Sequence, residues 1–265
     1  MTPLYFGSGR RTLFGLYHPP GGHPARATGV VICNPFGHEA IRAHRALRQL
    51  ARLLARARFH VLRFDYYGTS DSAGDGAEVS MADWLEDIAT ATDELKDTAG
   101  VARVSWVGLR YGATLALAAA VKNGRRDLDS LVLWDPIVDG SAYLRELAET
   151  HVAYLRAELP EGTKIPAPDG REAVGFPLPT ELRREIEAVD LAGGGDKPRA
   201  RRLVLFASHP SDAYLRLCAR LEQLGLPCQR RDMPLADNWN SDRAMNAALI
   251  PPGVLEAIVA SLEGA

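Results

Sequence analysis

The stretch Val104-Ser-Trp-Val-Gly-Leu-Arg-Tyr-Gly-Ala113 decides the fold of this chain. It opens with an apolar run typical of a buried strand and continues through a tight Gly-x-x-x-Gly turn. The small residues from Gly112 to Val121 then predict a helix that packs close to the sheet. Glycine at both ends of the turn allows a sharp change of direction, and the residue at its top is Arg110.

The segments on either side predict a mostly parallel central sheet with helices on both faces. Apolar runs without alternation, such as Gly29–Cys33 and Ser130–Trp134, are typical of buried parallel strands. They alternate with helical patterns such as Arg42–Ala57, which is the order of an α/β protein. Ser80 and Asp83 predict a capping box at the start of a further helix.

The pattern changes between residues 139 and 198, where proline and glycine are dense and no clear parallel strand occurs. We interpret this segment as a cap inserted over the carboxyl edge of the sheet. Residues 1–138 and 199–265 then form the core that carries the sheet. Ligands of open α/β sheets bind outside the carboxyl ends of the strands, so we expect a site at that edge.

Composition excludes several classes of protein. The net charge is −2 and no long run of one sign occurs, so no nucleic-acid partner is expected. No signal peptide and no apolar membrane span are recognisable. Cys33, Cys218 and Cys228 include no CxxC pair, which predicts buried thiols in a reducing compartment without a disulfide or zinc site. We therefore expect a cytoplasmic protein without a metal or cofactor.

Three motifs carry a family resemblance. The segment 108–112, Gly-Leu-Arg-Tyr-Gly, has the layout of the nucleophile elbow Gly-x-Ser-x-Gly. The segment 33–40, Cys-Asn-Pro-Phe-Gly-His-Glu-Ala, matches an oxyanion loop, and the segment 63–72 matches an Asp-x-x-Gly-x-Gly-x-Ser loop with Ser70 in place of a glycine. The chain thus resembles α/β-hydrolases of the serine-aminopeptidase-like group. It is similar above all to exosortase-system-associated hydrolases, some of which also carry arginine in the elbow.

The resemblance implies an α/β-hydrolase fold but not a serine-hydrolase triad. Arg110 stands at the nucleophile position, and Asp212 stands where the acid is expected. The base should fall within residues 234–240, which contain no histidine. A guanidinium has no lone pair for attack, and a hydroxyl nucleophile needs an adjacent base. Ordinary Ser-His-Asp hydrolysis is therefore not expected.

Arg110 has two competing interpretations. A cation at a helix N-terminus opposes the helix dipole, so a negative group should offset it. In the structural interpretation, Asp212, Asp135 or Asp65 forms a salt bridge with the guanidinium. In the functional interpretation, Arg110 is an anion clamp that binds a carboxylate, phosphate or thioester carbonyl beside the former oxyanion hole.

Several neighbours are candidates for the same site. His38 in the oxyanion loop could act as an acid or base, although a hydrogen-bonding role is the simpler alternative. Trp239 could line a pocket or plug it. Five residues are predicted to contact a ligand: Phe36, Gly37, Tyr111, Asp135 and Trp239. Four other residues near the site are explained as well by structural roles: His209 as a turn residue, Cys33 as a buried hydrophobe, Asp139 as a helix cap, and Phe176 as a packing residue.

Three functions follow from these candidates. The first is non-covalent handling of a small acyl or carboxylate compound, with Arg110 as the clamp. The second is a non-catalytic binding or scaffolding protein that kept the fold. The third is hydrolysis that uses His38 and a water molecule. The resemblance also implies a possible acyl carrier or pathway partner protein, which no residue of this sequence identifies.

Overall fold

The computed structural model describes residues 1–122, 127–165, 167–236, 239 and 249–264. Eight strands form the main sheet: β1 (Thr2–Ser8), β2 (Arg11–His18), β3 (Thr28–Cys33), β4 (His60–Phe64), β5 (Arg103–Leu109), β6 (Leu128–Trp134), β9 (Arg202–Ala207) and β10 (Cys228–Asp232). Two short strands, β7 (Glu172–Ala173) and β8 (Phe176–Pro177), pair separately. The helices are α1 (His38–Arg56), α2 (Met81–Ala99), α3 (Tyr111–Lys122), α4 (Gly140–Glu158), α5 (Thr180–Glu187), α6 (Asp212–Gln223) and α7 (Pro252–Glu263).

The main sheet has the order β1-β2-β4-β3-β5-β6-β9-β10. Strand β2 pairs antiparallel with β1 and β4, and every other neighbouring pair is parallel. Parallel strands buried on both faces explain the apolar runs without alternation. The predicted α/β class, with a mostly parallel sheet, is therefore confirmed.

Helices cover both faces of the sheet because each face presents its own apolar cluster. One cluster packs α1 and α7 against the sheet through residues such as Leu50 and Ile258. The other packs α2 and α3 against the opposite face, with Ile88 and Trp106 fully buried. The capping box of α2 is present, since Ser80 and Asp83 exchange side-chain and backbone hydrogen bonds.

Residues 139–198 contain α4, the β7–β8 hairpin and α5 before the sheet resumes at β9. Asp139 caps α4 by accepting from the backbone N of Ala142 at 2.7 Å, as its simpler interpretation predicted. Leu178, Leu182 and Ile186 are buried in the same cluster as α2 and α3. The segment is therefore packed onto the core, and its description as a cap remains our interpretation.

The cysteine prediction is wrong for one pair. Cys218 on α6 and Cys228 at the start of β10 form a disulfide, with a Cα–Cα distance of 5.2 Å. A helix that returns directly to the neighbouring strand brings the two together, although they form no recognisable motif. Cys33 is the free cysteine and is buried, and burial raises the pKa of its thiol to about 12. Cys33 thus behaves as a small hydrophobe.

The disulfide also removes the main support for a reducing compartment, since such bonds persist mainly in oxidising surroundings. A cytoplasmic location therefore remains only a prediction. Within the described ranges, no helix has both the length and the apolar composition needed to cross a bilayer.

Candidate functional site

Arg110 stands at the top of the sharp turn between β5 and α3, where the motif placed it. Its φ angle is +53°, in the left-handed region that non-glycine residues rarely adopt. Its backbone N donates to the carbonyl of Trp134 at 2.9 Å. A Cβ on Gly112 would lie 2.2 Å from the carbonyl O of Asn34, so only glycine fits there. The elbow geometry is therefore intact around a residue that cannot attack.

Two glutamates bind the guanidinium of Arg110. Its Nε donates to Oε1 of Glu39 at 2.8 Å, and its Nη2 lies 2.8 Å from both carboxylate oxygens of Glu146. The side chain of Glu39 is 1% exposed, whereas that of Glu146 is 41% exposed. The predicted partners were aspartates, and that part of the structural interpretation is wrong. The acids come instead from the first turn of α1 and from α4.

Tyr143 completes this group, which we call the elbow cluster: Arg110, Glu39, Glu146 and Tyr143. The hydroxyl of Tyr143 donates to Oε2 of Glu39 at 3.0 Å, and its ring stacks on Tyr111 with centroids 5.8 Å apart. The Cζ of Arg110 lies 5.6 Å from the centre of the Tyr143 ring. Glu39 therefore accepts from two side chains at once.

The electrostatics of the elbow cluster favour a permanent ion pair. Burial alone would lower the pKa of Arg110, but the charges of Glu39 and Glu146 outweigh it and hold that pKa well above its ordinary value. The guanidinium is therefore already bound by two carboxylates. A further anion approaching Arg110 meets repulsion unless a glutamate first moves away.

Asp135 and Trp239 bind each other instead of Arg110. Oδ1 of Asp135 accepts from the backbone N of Ser208 at 2.6 Å, and Oδ2 accepts from Nε1 of Trp239 at 3.1 Å. The ring of Trp239 lies edge-on to Trp134, with centroids 5.2 Å apart. Trp239 and Asp135 are each 2% exposed. These contacts favour packing over ligand contact for both residues.

The remaining predicted catalytic residues do not assemble at the elbow. Asp212 is exposed at the first turn of α6, and no ion pair with Arg110 is seen among the described residues. His38 begins α1 and is only 5% exposed, and His209 lies exposed in the loop after β9. Residues 237, 238 and 240, where a base was sought, lie outside the described residues.

A cavity of about 780 Å³ opens beside the elbow, between the loop after β3, the loop after β4 and α1. The predicted ligand contacts Phe36, Gly37 and Tyr111 line it, and so does Phe176 of the insertion. Arg110, Asp135, Asp212 and Trp239 are not among its lining residues. The structure therefore places three of the eight predicted site residues at the cavity and leaves the other five, including Arg110, outside its lining.

Sequence reasoning overlooked Glu39, Glu146, Tyr143 and the cavity residue Arg63. A signal existed for Glu39, because it lies in the oxyanion-loop motif and β3 is the immediate neighbour of β5. No comparable signal marked Glu146, since the path of α4 is set by tertiary packing. Across the described part of the chain, no cluster of histidine, cysteine and acidic side chains could hold a metal ion.

Known proteins support the fold assignment. The chain matches Est1E from Butyrivibrio proteoclasticus, solved with ferulic acid, at 18% identity and a TM-score of 0.67, covering 98% of this chain and 97% of that one. It also matches a thermostable carboxyl esterase from Bacillus coagulans at 17% identity and a TM-score of 0.63, covering 99% and 98%. At these identities the likeness shows the fold alone.

A third solved structure is the proline iminopeptidase of Mycobacterium smegmatis, with 11% identity, a TM-score of 0.62 and coverage of 99% and 98%. No sequence among the curated proteins matches the chain. The family description "Serine aminopeptidase, S33" matches residues 23–174, which is more than half of the chain. This protein therefore belongs to the serine aminopeptidase S33 family of the α/β-hydrolases.

Proposed function

We propose that this protein binds a small molecule without covalent chemistry at the elbow, and that Arg110 serves as a structural tie. The observation that carries the proposal is the position of Arg110 at the nucleophile site, bound by Glu39 and Glu146. The ion pairs join the elbow, α1 and α4 of the insertion. Covalent acyl transfer at this turn would need a nucleophile and a base, and a bound guanidinium supplies neither.

The cavity beside the elbow supports a binding role. Its volume lies in the usual range for small-molecule sites. Its lining is rich in aromatic side chains, which suit an apolar or planar ligand body: Phe36, Tyr66, Trp84, Tyr111 and Phe176. Buried His38 is not among the lining residues, which argues against an acid or base that works there with water.

One observation keeps the anion clamp as a second candidate. The side chain of Glu146 is 41% exposed, so a ligand carboxylate could replace it on Arg110. Glu39 is buried and would stay in place. In this variant of the proposal, a ligand reaches from the cavity to the elbow and exchanges with Glu146. Glu146→Gln should then tighten anion binding, whereas a purely structural tie predicts no change in affinity.

The main test combines covalent labelling with a binding screen. Intact-mass measurement after treatment with a fluorophosphonate and a panel of ester and thioester substrates should show no adduct. Arg110→Ser should also remain unlabelled, because no histidine follows residue 209 in the chain. Native mass spectrometry with small aromatic and aliphatic ligands should show bound species. An acyl adduct on the unmodified protein, or a complete lack of binding, would overturn the proposal.

A further inference from the structure

The cavity has two chemically different ends. Aromatic side chains that pack against Tyr111 of the elbow line one part, while basic side chains from α1 and β4 line another. This part, which we call the Arg63 end, contains the cations Arg63, Arg42 and Arg45, together with His44, whose pKa is lowered by burial and by the neighbouring arginines. Arg45 and His44 are exposed at the surface, and Arg63 lies within, only 6% exposed, near the end of β4.

Arg63 is a buried cation without a carboxylate partner. Its Nε donates to Nε2 of His18 at 3.5 Å, and within the described ranges no acid forms an ion pair with it. Burial, followed by the charge of Arg63, lowers the pKa of His18 to about 4, so this acceptor is neutral at pH 7. The charge of Arg63 is therefore not compensated by the contact.

Burying an unpaired charge is unfavourable, and folded proteins usually pair such groups. Burial lowers the pKa of Arg63 itself, and only the charge of Asp65 opposes that effect. The carboxylate of Asp65 accepts long hydrogen bonds from Nδ2 of Asn34 and from the backbone N of Asp71, at 3.5 and 3.4 Å. Among the described residues only Nε of Arg63 makes a side-chain hydrogen bond, and the rest of the guanidinium lies in the wall of the cavity.

We propose that the cavity binds an amphiphilic organic anion, with its carboxylate or phosphate on Arg63 and its apolar body among the aromatic side chains. This inference rests on the proposed binding function and names its ligand class. A planar guanidinium binds such oxyanions through two parallel hydrogen bonds, and the exposed cation of Arg45 attracts an anion to that end. Asp65 and Asp71 also line the cavity, and their negative charges limit the preference to anions of low charge.

The test uses 4-phenylbutyrate and its neutral analogue 4-phenylbutanamide, measured by calorimetry on the full chain. The acid should bind the unmodified protein more tightly than the amide. Arg63→Met should weaken binding of the acid about tenfold or more and leave the amide unchanged. Arg48→Met is the matched control, because Arg48 is an exposed arginine of α1 outside the cavity lining, and it should change either affinity by less than about twofold.

The outcomes separate this inference from the proposed function. Equal affinity for acid and amide, or an unchanged acid affinity in Arg63→Met, would reject the anion site and leave the binding function standing. Failure of both compounds to bind at millimolar concentration would reject the anion site as well, and the wider screen then decides the binding function. If Arg63→Met does not fold, Arg63→Lys should bind the acid more weakly than the unmodified protein, because it lacks the paired donors.

Discussion

The elbow and the Arg63 end each contain a largely buried arginine, and the two differ in what surrounds the charge. Arg110 is held by two carboxylates, and its pKa is raised well above the ordinary value. Arg63 contacts a neutral imidazole, and its pKa is lowered by burial. Burial alone therefore does not indicate a role. The partner groups decide whether a buried cation is structural or is available to a ligand.

The turn that carries Arg110 has the geometry of a nucleophile elbow but holds a cation. The elbow still presents a strained, positive-φ residue above the sheet. In a serine hydrolase that geometry exposes the nucleophile. Here it points a cation at α1 and α4, and Tyr143 and Glu39 add hydrogen bonds. In this protein the strained turn positions a salt bridge.

The largest expected effect comes from removing the paired arginine. Arg110→Met leaves Glu39 buried without its cation, so the free energy of unfolding should fall by about 3–5 kcal/mol. Urea denaturation followed by circular dichroism measures the change. The double variant Arg110→Met with Glu39→Gln should recover part of the loss. A loss below about 1 kcal/mol in the single variant would contradict the structural role of the pair.

The two glutamates should not be equivalent. Glu39→Gln removes the buried carboxylate that accepts from Arg110 and Tyr143, and should cost about 2 kcal/mol of stability. Glu146→Gln affects a side chain that is 41% exposed and should cost less than about 1 kcal/mol. The same denaturation assay ranks the two. A larger loss of stability for Glu146→Gln than for Glu39→Gln would mean that the ion pair with α4 stabilises the protein more than the ion pair with α1.

Acid should destabilise the Arg63 end through His18. Its folded-state pKa of about 4 lies below the unfolded value of 6.5. As the pH falls from about 6.5 towards 4, His18 becomes protonated in the unfolded chain but stays neutral in the folded one, so the free energy of unfolding falls. Between pH 7 and pH 4.5, His18 should lower the free energy of unfolding by about 2 kcal/mol. The same pH series, followed by urea denaturation, should lack this loss in His18→Gln. An unchanged acid profile in His18→Gln would show that His18 is not the group responsible.

The smallest expected effect, that of Arg63→Met, tests most directly whether the two buried arginines differ in role. Arg63→Met removes a buried charge that forms no ion pair among the described residues and keeps an apolar stem, so the free energy of unfolding should change by less than about 1 kcal/mol. The identical substitution at Arg110 serves as the contrast. Destabilisation by more than about 2 kcal/mol in Arg63→Met would show that its contact with His18 is structural.

Local sequence was enough to predict much of the molecule. The turn around Arg110, the capping box at Ser80 and the apolar strands depend on neighbouring residues, so their patterns are readable without the fold. The disulfide was missed because Cys218 and Cys228 meet only through the return of α6 to β10. The acids that bind Arg110 were missed because Asp65, Asp135 and Asp212 follow strands β4, β6 and β9, and no local pattern ranked Glu39 or Glu146 above them.

The sequence by itself determined that a permanently charged side chain stands at the top of the elbow, since the strand, two glycines and helix that build the elbow are contiguous. Only the tertiary structure decided what that charge meets, because Glu39 and Glu146 lie 71 and 36 residues away along the chain. The same holds for Arg63, whose motif was recognised while its unpaired state was not. Electrostatic compensation depends on distances through space, and those exist only after the segments have packed.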